Sequence, residues 1–185
     1  SDITFDMGNN EMQVHQQNVE PWRVTLIDTG EETLTGGRLK RVTDYIKDEE
    51  SFCFTYGDGV SDVDIGALVR FHHEHAKLAT VTAVLPPGRY GAIERSGNTV
   101  TGFIEKPRGD GGVINGGFFV LSPKCLDFIA GDESSWEGQP LRDLSARGEM
   151  MAYEHHGFWQ PMDTLRDKNM LEDLWSSGKA PWKVW

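Results

Sequence analysis

Two aspartates lie where short structured stretches of the chain are predicted to end, and each is a candidate ligand for a metal ion. Asp58 follows an apolar run and is flanked by Gly57 and Gly59, which let a ligand approach the backbone closely. Asp163 follows an aromatic turn. A carboxylate in such a place can hold a hard cation, which in turn binds phosphate oxygens. Taken singly, Asp58 also fits an ordinary Asp-Gly turn and Asp163 a helix N-cap, so the metal hypothesis depends on the two acting as a pair.

Residues 35–38 (Thr-Gly-Gly-Arg) are a candidate phosphate site, because they stand at the start of a predicted helix. Backbone N–H groups at a helix N-terminus bind anions. The stretch is not a Walker loop, since no Gly-Lys-Ser/Thr follows at the required spacing. A simple turn is the alternative interpretation.

Glu105 and Lys106 form a second polar pair, directly before Pro107, which is predicted to end a strand. A carboxylate there can accept hydrogen bonds from sugar hydroxyls, and an ammonium group can bind a phosphate. A solvated strand exit would show the same residues.

The elements that must position these residues alternate between strands and helices. Hydrophobic periodicity predicts strands at 22–27, 51–56, 78–85, 90–94, 99–105, 116–121 and 150–154, and helices from near 37, at 64–77, from near 122, at 141–148 and at 163–176. This alternation predicts an α/β fold, a three-layer α/β/α sandwich with a mostly parallel, mixed sheet. Ligands of such sheets bind beyond the carboxyl ends of the strands, where Asp58 is placed.

Composition narrows the class of partner. The 185 residues carry 18 basic and 29 acidic side chains, a formal net charge of −11, which disfavours nucleic acid and anionic membranes as partners. The two cysteines are too few for a disulfide framework, and no apolar run approaches the roughly 18 residues of a membrane span. We therefore expect a soluble, cytoplasmic protein built as a single domain over residues 1–185, with 150–185 as its C-terminal closing segment.

Seven stretches of the chain form an ordered set: VTLIDTG at 24–30, TGGRLKRV at 35–42, FTYGDGV at 54–60, PGRYGA at 87–92, EKP at 105–107, INGGFF at 114–119 and FWQPMDT at 158–164. In this order they resemble the glucose-1-phosphate cytidylyltransferases, a branch of the sugar-phosphate nucleotidylyltransferases with a Rossmann-like nucleotide-diphospho-sugar transferase fold. The motifs differ in how specific they are. Gly-Asp after a strand, Glu-Lys-Pro and Asn-Gly-Gly belong to the wider family, whereas Thr-Gly-Gly-Arg and Trp-Gln-Pro-Met-Asp point to the cytidylyl branch.

The resemblance implies a reaction and a set of site residues. The reaction is CTP plus α-D-glucose 1-phosphate giving CDP-glucose and pyrophosphate, with Mg²⁺, and its product feeds deoxy- and dideoxyhexose synthesis for bacterial O-antigen and lipopolysaccharide. The implied ligands of the metal are Asp58 and Asp163. The implied contacts are Thr33, Thr35, Arg38 and Gly57 for the nucleotide, and Gly91, Glu105, Lys106 and Asn115 for the sugar phosphate. Lys106 would steady the charge of the phosphate, and with the two aspartates it completes the implied catalytic set. Phosphoryl transfer of this kind needs positioning and charge neutralisation rather than a protein nucleophile.

One part of the family pattern does not occur in these 185 residues. Members begin with a Gly-rich loop, Gly-Gly-x-Gly-Thr-Arg, and a following Lys that together bind the triphosphate and the base. The chain instead opens on an alternating, strand-like stretch without an initiator Met. We expect that the first βα units, at about 30 residues each, precede it in the natural protein.

Two other classes of function stay open at this point. One is a thymidylyl- or uridylyltransferase acting on a sugar 1-phosphate. The nucleotide that the protein uses would distinguish it from a cytidylyltransferase. The other is a domain without the Gly-rich loop that binds a sugar phosphate but has no activity. We also expect a homo-oligomer, since Trp175, Trp182 and Trp185 crowd the C-terminus.

Overall fold

A computed structural model describes residues 2–15, 22–88, 92–104 and 112–184. Its strands are β1 (Ile3–Asp6), β2 (Glu11–Val14), β3 (Phe52–Phe54), β4 (Gly59–Ser61), β5 (Ala79–Val84), β6 (Ala92–Ser96), β7 (Thr99–Ile104), β8 (Ile114–Leu121), β9 (Met150–His155) and β10 (Trp159–Pro161). Its helices are α1 (Thr35–Arg41), α2 (Thr43–Ile46), α3 (Ile65–His75), α4 (Gln139–Ala146) and α5 (Leu165–Ser176), together with a 3₁₀ helix at Pro123–Phe128. The α/β class predicted from the alternation is confirmed.

The largest sheet of the described residues has four strands in the order β3-β8-β5-β9. β8 runs antiparallel to β3 and β5, and β5 runs parallel to β9, so the sheet is mixed. Five of the six residues of β5 are fully buried. A strand that is buried along nearly its whole length is typical of a sheet that is covered on both faces.

The two faces of the sheet are covered by different helices. Side chains alternate along β5: Ala79 packs into the main core cluster, whereas Thr80 faces α3, where its hydroxyl contacts His72. The core cluster joins α1, the 3₁₀ helix and α4 to β5 and β8 through Leu39, Ala79, Phe119, Leu121, Cys125, Leu126, Ile129, Trp136 and Leu144. The described residues therefore form three layers: the sheet lies between α3 on one face and α1, the 3₁₀ helix and α4 on the other.

Strand β3 shows that alternation decides burial at the edge of this sheet. Phe52 and Phe54 pack on the core, and Cys53 between them points the other way and is exposed. The outward side chain of Cys53 stays accessible to solvent, because β3 is an edge strand that pairs on one side only, with β8, among the described strands.

Residues 22–27, which the apolar pattern predicted as a strand, are irregular in the structure. Trp22, Val24 and Leu26 are exposed, Leu26 to 91%. A strand is stable only when a neighbour pairs with its backbone N–H and C=O groups, and no described strand pairs with this stretch. None of the helices in the described ranges is long and apolar enough to cross a membrane.

Candidate functional site

A cleft of about 700 Å³ opens beside the C-terminal end of β3, between that strand and α1. It is lined by Thr29, Thr35, Arg38, Leu39, Val42, Phe54, Thr55, Tyr56, Gly57, Asp58 and Glu137. Four of the residues predicted from the sequence thus share one cavity: Thr35, Arg38, Gly57 and Asp58. Its walls carry both signs of charge, so an anionic ligand can be bound at some points and repelled at others.

The pairing of β4 with β10 brings the two candidate metal ligands together. The strands are antiparallel, Gly59 lies opposite Pro161, and the backbone N–H of Met162 donates to the carbonyl of Asp58 at 2.6 Å. Asp163 is the next residue. Although 105 positions separate the two aspartates in the chain (163 − 58), their backbones run side by side at one end of this strand pair.

The structure of the α5 N-terminus rules out the alternative interpretation of Asp163 as a helix N-cap. Thr164, not Asp163, is the N-cap: its hydroxyl accepts from the backbone N–H of Asp167, and the Asp167 carboxylate accepts from the backbone N–H of Thr164. This reciprocal capping box satisfies the first turn of the helix. Asp163 lies just before it and is exposed.

The donor set suits a divalent cation that shares its coordination with a substrate. Asp58 and Asp163 offer two carboxylates, and Mg²⁺ is usually held by one or two carboxylates together with phosphate oxygens and water. Within the described ranges, no group of three or more His, Cys, Asp or Glu side chains is arranged to hold a metal ion without such help.

The glycines at the start of α1 serve close packing. Gly37 donates its N–H to the carbonyl of Ser134, and a Cβ on Gly37 would lie 2.5 Å from the carbonyl oxygen of Asp132. Arg41 holds the same loop through two hydrogen bonds to the Asp132 carboxylate, at 2.9 and 2.6 Å. This geometry favours the turn over the phosphate cradle, because the glycine surface of the helix faces protein.

The predicted nucleotide contacts differ in how accessible they are. Thr35 is exposed, and its hydroxyl accepts from the backbone N–H of Trp136 at 2.9 Å. Arg38 is exposed, and its guanidinium donates to the hydroxyl of Thr29 and the carbonyl of Glu31. Thr33 is 6% exposed, packed close to the glycines at 30 and 37, and does not line the cleft.

Tyr56 and Glu137 also line the cleft and were not predicted from the sequence. Burial and the nearby Glu137 carboxylate raise the pKa of the Tyr56 hydroxyl, which therefore keeps its proton. Burial raises the pKa of Glu137, but the hydroxyls of Ser135, Tyr56 and Thr35 outweigh it, so the net direction is down. A protonated tyrosine thus stands near a carboxylate that stays charged. Glu137 is 102 residues from Thr35 in the chain, and no local pattern marks it.

Asn115 stands in β8 beside Tyr56. Its side-chain oxygen accepts from the Gly117 N–H at 2.8 Å, and its Nδ2 donates to the Tyr56 hydroxyl at 3.4 Å. Trp159 fixes the neighbouring backbone by donating its indole N–H to the carbonyl of Gly116 at 2.7 Å. The other predicted sugar-phosphate residues, Gly91, Glu105 and Lys106, lie outside the described residues.

Comparison with known proteins gives the same class as the fold and the cleft. The model of the nucleotidyl transferase family matches residues 6–160. The crystal structure of HddC from Yersinia pseudotuberculosis superposes with a TM-score of 0.56 at 23% identity, over 76% of this chain and 61% of that one, which shows the shared fold. The chain therefore contains a nucleotidyl transferase domain.

Two curated relatives narrow the class. The glucose-1-phosphate cytidylyltransferase of Salmonella typhi is 60% identical over all 185 residues, which span 72% of that protein. A protein of Bacillus subtilis (strain 168) named as a probable glucose-1-phosphate cytidylyltransferase is 38% identical over 99% of this chain and 71% of its own length. This chain belongs to the nucleotidyl transferase family and, within it, to the glucose-1-phosphate cytidylyltransferases.

Proposed function

We propose that the protein transfers a cytidylyl group from CTP to α-D-glucose 1-phosphate, giving CDP-glucose and pyrophosphate. The observation that carries the proposal is the 60% identity, over the whole chain, to a glucose-1-phosphate cytidylyltransferase. The paired backbones of Asp58 and Asp163 beside the cleft support it, because a nucleotidyl transfer needs a place where negative phosphates can be neutralised.

The reaction is a displacement at phosphorus. An oxygen of the sugar phosphate attacks the α-phosphorus of CTP, the bond from that phosphorus to the bridging oxygen breaks, and pyrophosphate leaves with the bonding electrons. The protein supplies position and charge: the chain has no need of a covalent intermediate. A Mg²⁺ ion, when bound, neutralises charge on the phosphate oxygens.

Each side of the site has its own residues in this proposal. Asp58 and Asp163 hold the cation, and Arg38 and Thr35 face the nucleotide with Gly57. Thr33 contributes to the nucleotide side indirectly, because it packs against Gly37 at the start of α1. On the sugar-phosphate side the contacts are Gly91, Glu105, Lys106 and Asn115, with Lys106 opposite the phosphate charge.

We also expect the protein to work in the cytoplasm and to assemble as a homo-oligomer. Cys53 and Cys125 are both free thiols, which suits a reducing compartment. Exposed apolar side chains support assembly, among them Phe5 and Met12 of the β1–β2 hairpin, at 63% and 61% exposure. The product would serve deoxy- and dideoxyhexose synthesis for O-antigen and lipopolysaccharide in a bacterium.

The test is to incubate the full-length protein with glucose 1-phosphate, Mg²⁺ and an equimolar mixture of CTP, UTP, dTTP, ATP and GTP, and to identify nucleotide sugars by mass spectrometry. We expect CDP-glucose as the main product. TDP- or UDP-glucose instead would make the protein a transferase of a different nucleotide. Binding of glucose 1-phosphate without any product would identify an inactive sugar-phosphate-binding domain.

A further inference from the structure

Four polar side chains beside the cleft form two hydrogen-bonded pairs. The Thr35 hydroxyl donates to Oε2 of Glu137 at 2.8 Å, and Asn115 donates to the Tyr56 hydroxyl at 3.4 Å. Each pair contains one residue that the proposed function assigns to a substrate. Thr35 belongs to the nucleotide side and Asn115 to the sugar-phosphate side.

The partner residues in the two pairs, Tyr56 and Glu137, are held rigidly. The Tyr56 ring packs edge-on against Phe54 and Phe119, with centroids 5.7 and 6.0 Å apart. Gly117 lies directly against the ring, since a Cβ there would be 2.6 Å from Cδ2. The Glu137 carboxylate is held by a further hydrogen bond from Ser135 at 2.6 Å. Neither Tyr56 nor Glu137 can turn without breaking several of these contacts.

The direction of each hydrogen bond is determined by the chemistry of the groups. The Glu137 carboxylate only accepts, so the Thr35 hydroxyl donates to it. The Nδ2 of Asn115 only donates, so the Tyr56 oxygen accepts from it. With its Oδ1 bound to the Gly117 N–H, the Asn115 amide is held in one of its two flipped orientations.

We propose that Tyr56 and Glu137 are positioning residues of the transfer reaction, which orient the Asn115 amide for the sugar phosphate and the Thr35 hydroxyl for the nucleotide. The inference rests on the proposed function for the identity of the two ligands. It adds two residues that do the orienting, one for each half of the site.

Tyr56→Phe tests the sugar-phosphate half, because it removes the hydroxyl and leaves the packed ring. In the full-length protein we expect the KM for glucose 1-phosphate to rise about tenfold, as for the loss of one hydrogen bond to an orienting group, with the KM for CTP changed less than about twofold. The melting temperature should stay within a few degrees of wild type. The matched control is Tyr45→Phe, at an exposed position of α2 that does not line the cleft.

Glu137→Gln tests the nucleotide half. An amide has only one accepting oxygen for the donors that the carboxylate now serves, so we expect the KM for CTP to rise about tenfold. Glu133→Gln, at an exposed position of the same loop, is the control.

Two results would overturn the inference. One is a Tyr56→Phe protein with both KM values within twofold of wild type. The other is a variant in which both KM values rise together while the melting temperature falls by many degrees, as expected of a purely structural role. The calorimetric Kd for glucose 1-phosphate tests the inference independently of the proposed function. A tenfold weaker Kd in Tyr56→Phe supports the inference even if CTP is not turned over, and an unchanged Kd contradicts it.

Discussion

Gly117 is the residue on which the position of Tyr56 depends most directly. Its φ is +81°, in the left-handed region that favours glycine, and an added Cβ would lie 2.6 Å from the Tyr56 ring. We expect Gly117→Ala to lower the free energy of unfolding by about 3 kcal/mol, from backbone strain and overpacking together. Urea denaturation of the variant measures this change.

Gly131→Ala is the matched control for that experiment. A Cβ on Gly131 meets nothing within 4 Å, and its φ lies outside the left-handed region. We expect its free energy of unfolding to stay within about 0.5 kcal/mol of wild type. Equal stability of the two variants would show that Gly117 tolerates a side chain and that Tyr56 is not packed as described.

Among individual site residues, those marked by a local sequence pattern could be predicted, and those without such a pattern were missed. Asp58 stands between two glycines after an apolar run, and that pattern was enough to select it. Glu137 reaches the same cleft only because the loop after the 3₁₀ helix folds back onto α1. Tyr56 had a signal, its position next to Gly57-Asp58, but an apolar ring at a strand end is more often a core residue.

The start of α1 is the element whose packing shapes the nucleotide side of the cleft. Gly37 faces the backbone of Asp132 so closely that a Cβ would lie 2.5 Å from its carbonyl oxygen. We expect Gly37→Ala to push α1 away from this loop, to lower the free energy of unfolding by about 1–3 kcal/mol, and to raise the KM for CTP. Thermal denaturation and steady-state kinetics measure the two effects.

Gly66→Ala provides the comparison within another helix. Gly66 is an exposed residue in the first turn of α3, where a Cβ would meet only the ends of the side chains of Asp64 and Arg70. Because alanine has the higher helix propensity, this variant should be no less stable than wild type. If Gly37→Ala were equally stable and kept its KM for CTP, the packing of α1 against the 131–137 loop would not determine the nucleotide side.

The elements themselves were predictable where two kinds of signal agreed. α3 has an apolar stripe and a capping aspartate, Asp64, and forms close to its predicted limits. The stretch 22–27 has only composition in its favour, and it is irregular because no described strand pairs with it. The pairing of β4 with β10, which brings Asp58 beside Asp163, could not be predicted, since both strands are three residues long and far apart in the chain.

For the whole molecule, stability should depend on pH through two neighbouring histidines, the buried His72 and the half-buried His75. His72 of α3 is 4% exposed, and its Nδ1 lies 2.8 Å from the Thr80 hydroxyl, which also contacts His75. Burial and the nearby imidazoles of His75 and His73 lower the pKa of His72 to about 4. Burial also lowers the pKa of His75.

A lowered pKa in the folded state means that the unfolded chain binds more protons between the two values. The stabilisation is therefore fully present above about pH 6.5 and is lost as the pH falls towards about 4. For His72 the loss is up to about 3 kcal/mol. Free energies of unfolding measured from pH 8 to pH 4 should show this decline, and His72→Gln should reduce its slope.

His156→Gln is the control, because His156 is an exposed residue of the turn after β9, where it pairs with Glu154. Its slope should equal that of wild type. A wild-type protein whose free energy of unfolding did not fall between pH 6.5 and pH 4 would contradict the assignment of a buried, neutral His72.

The layered α/β build could be predicted because strands and helices alternate along the chain. The order of strands in the sheet could not, because it depends on which strands meet in three dimensions: β8 inserts between β3 and β5 although it follows both in the sequence. That insertion places Asn115 beside Tyr56, so the sugar-phosphate half of the site is a product of topology rather than of any local motif.

Two aspartates, brought together by β4 and β10, are proposed to hold the cation for the cytidylyl transfer. Their role can be tested by the rate of pyrophosphate release by the full-length protein with CTP, glucose 1-phosphate and Mg²⁺, for wild type, Asp58→Asn, Asp163→Asn and the exposed control Asp127→Asn. We predict turnover by wild type and the control, and a loss of at least about a hundredfold in both site variants without a change in melting temperature. Near-normal turnover in either site variant would contradict the proposed role of the two aspartates, and no turnover in wild type would contradict the proposed activity.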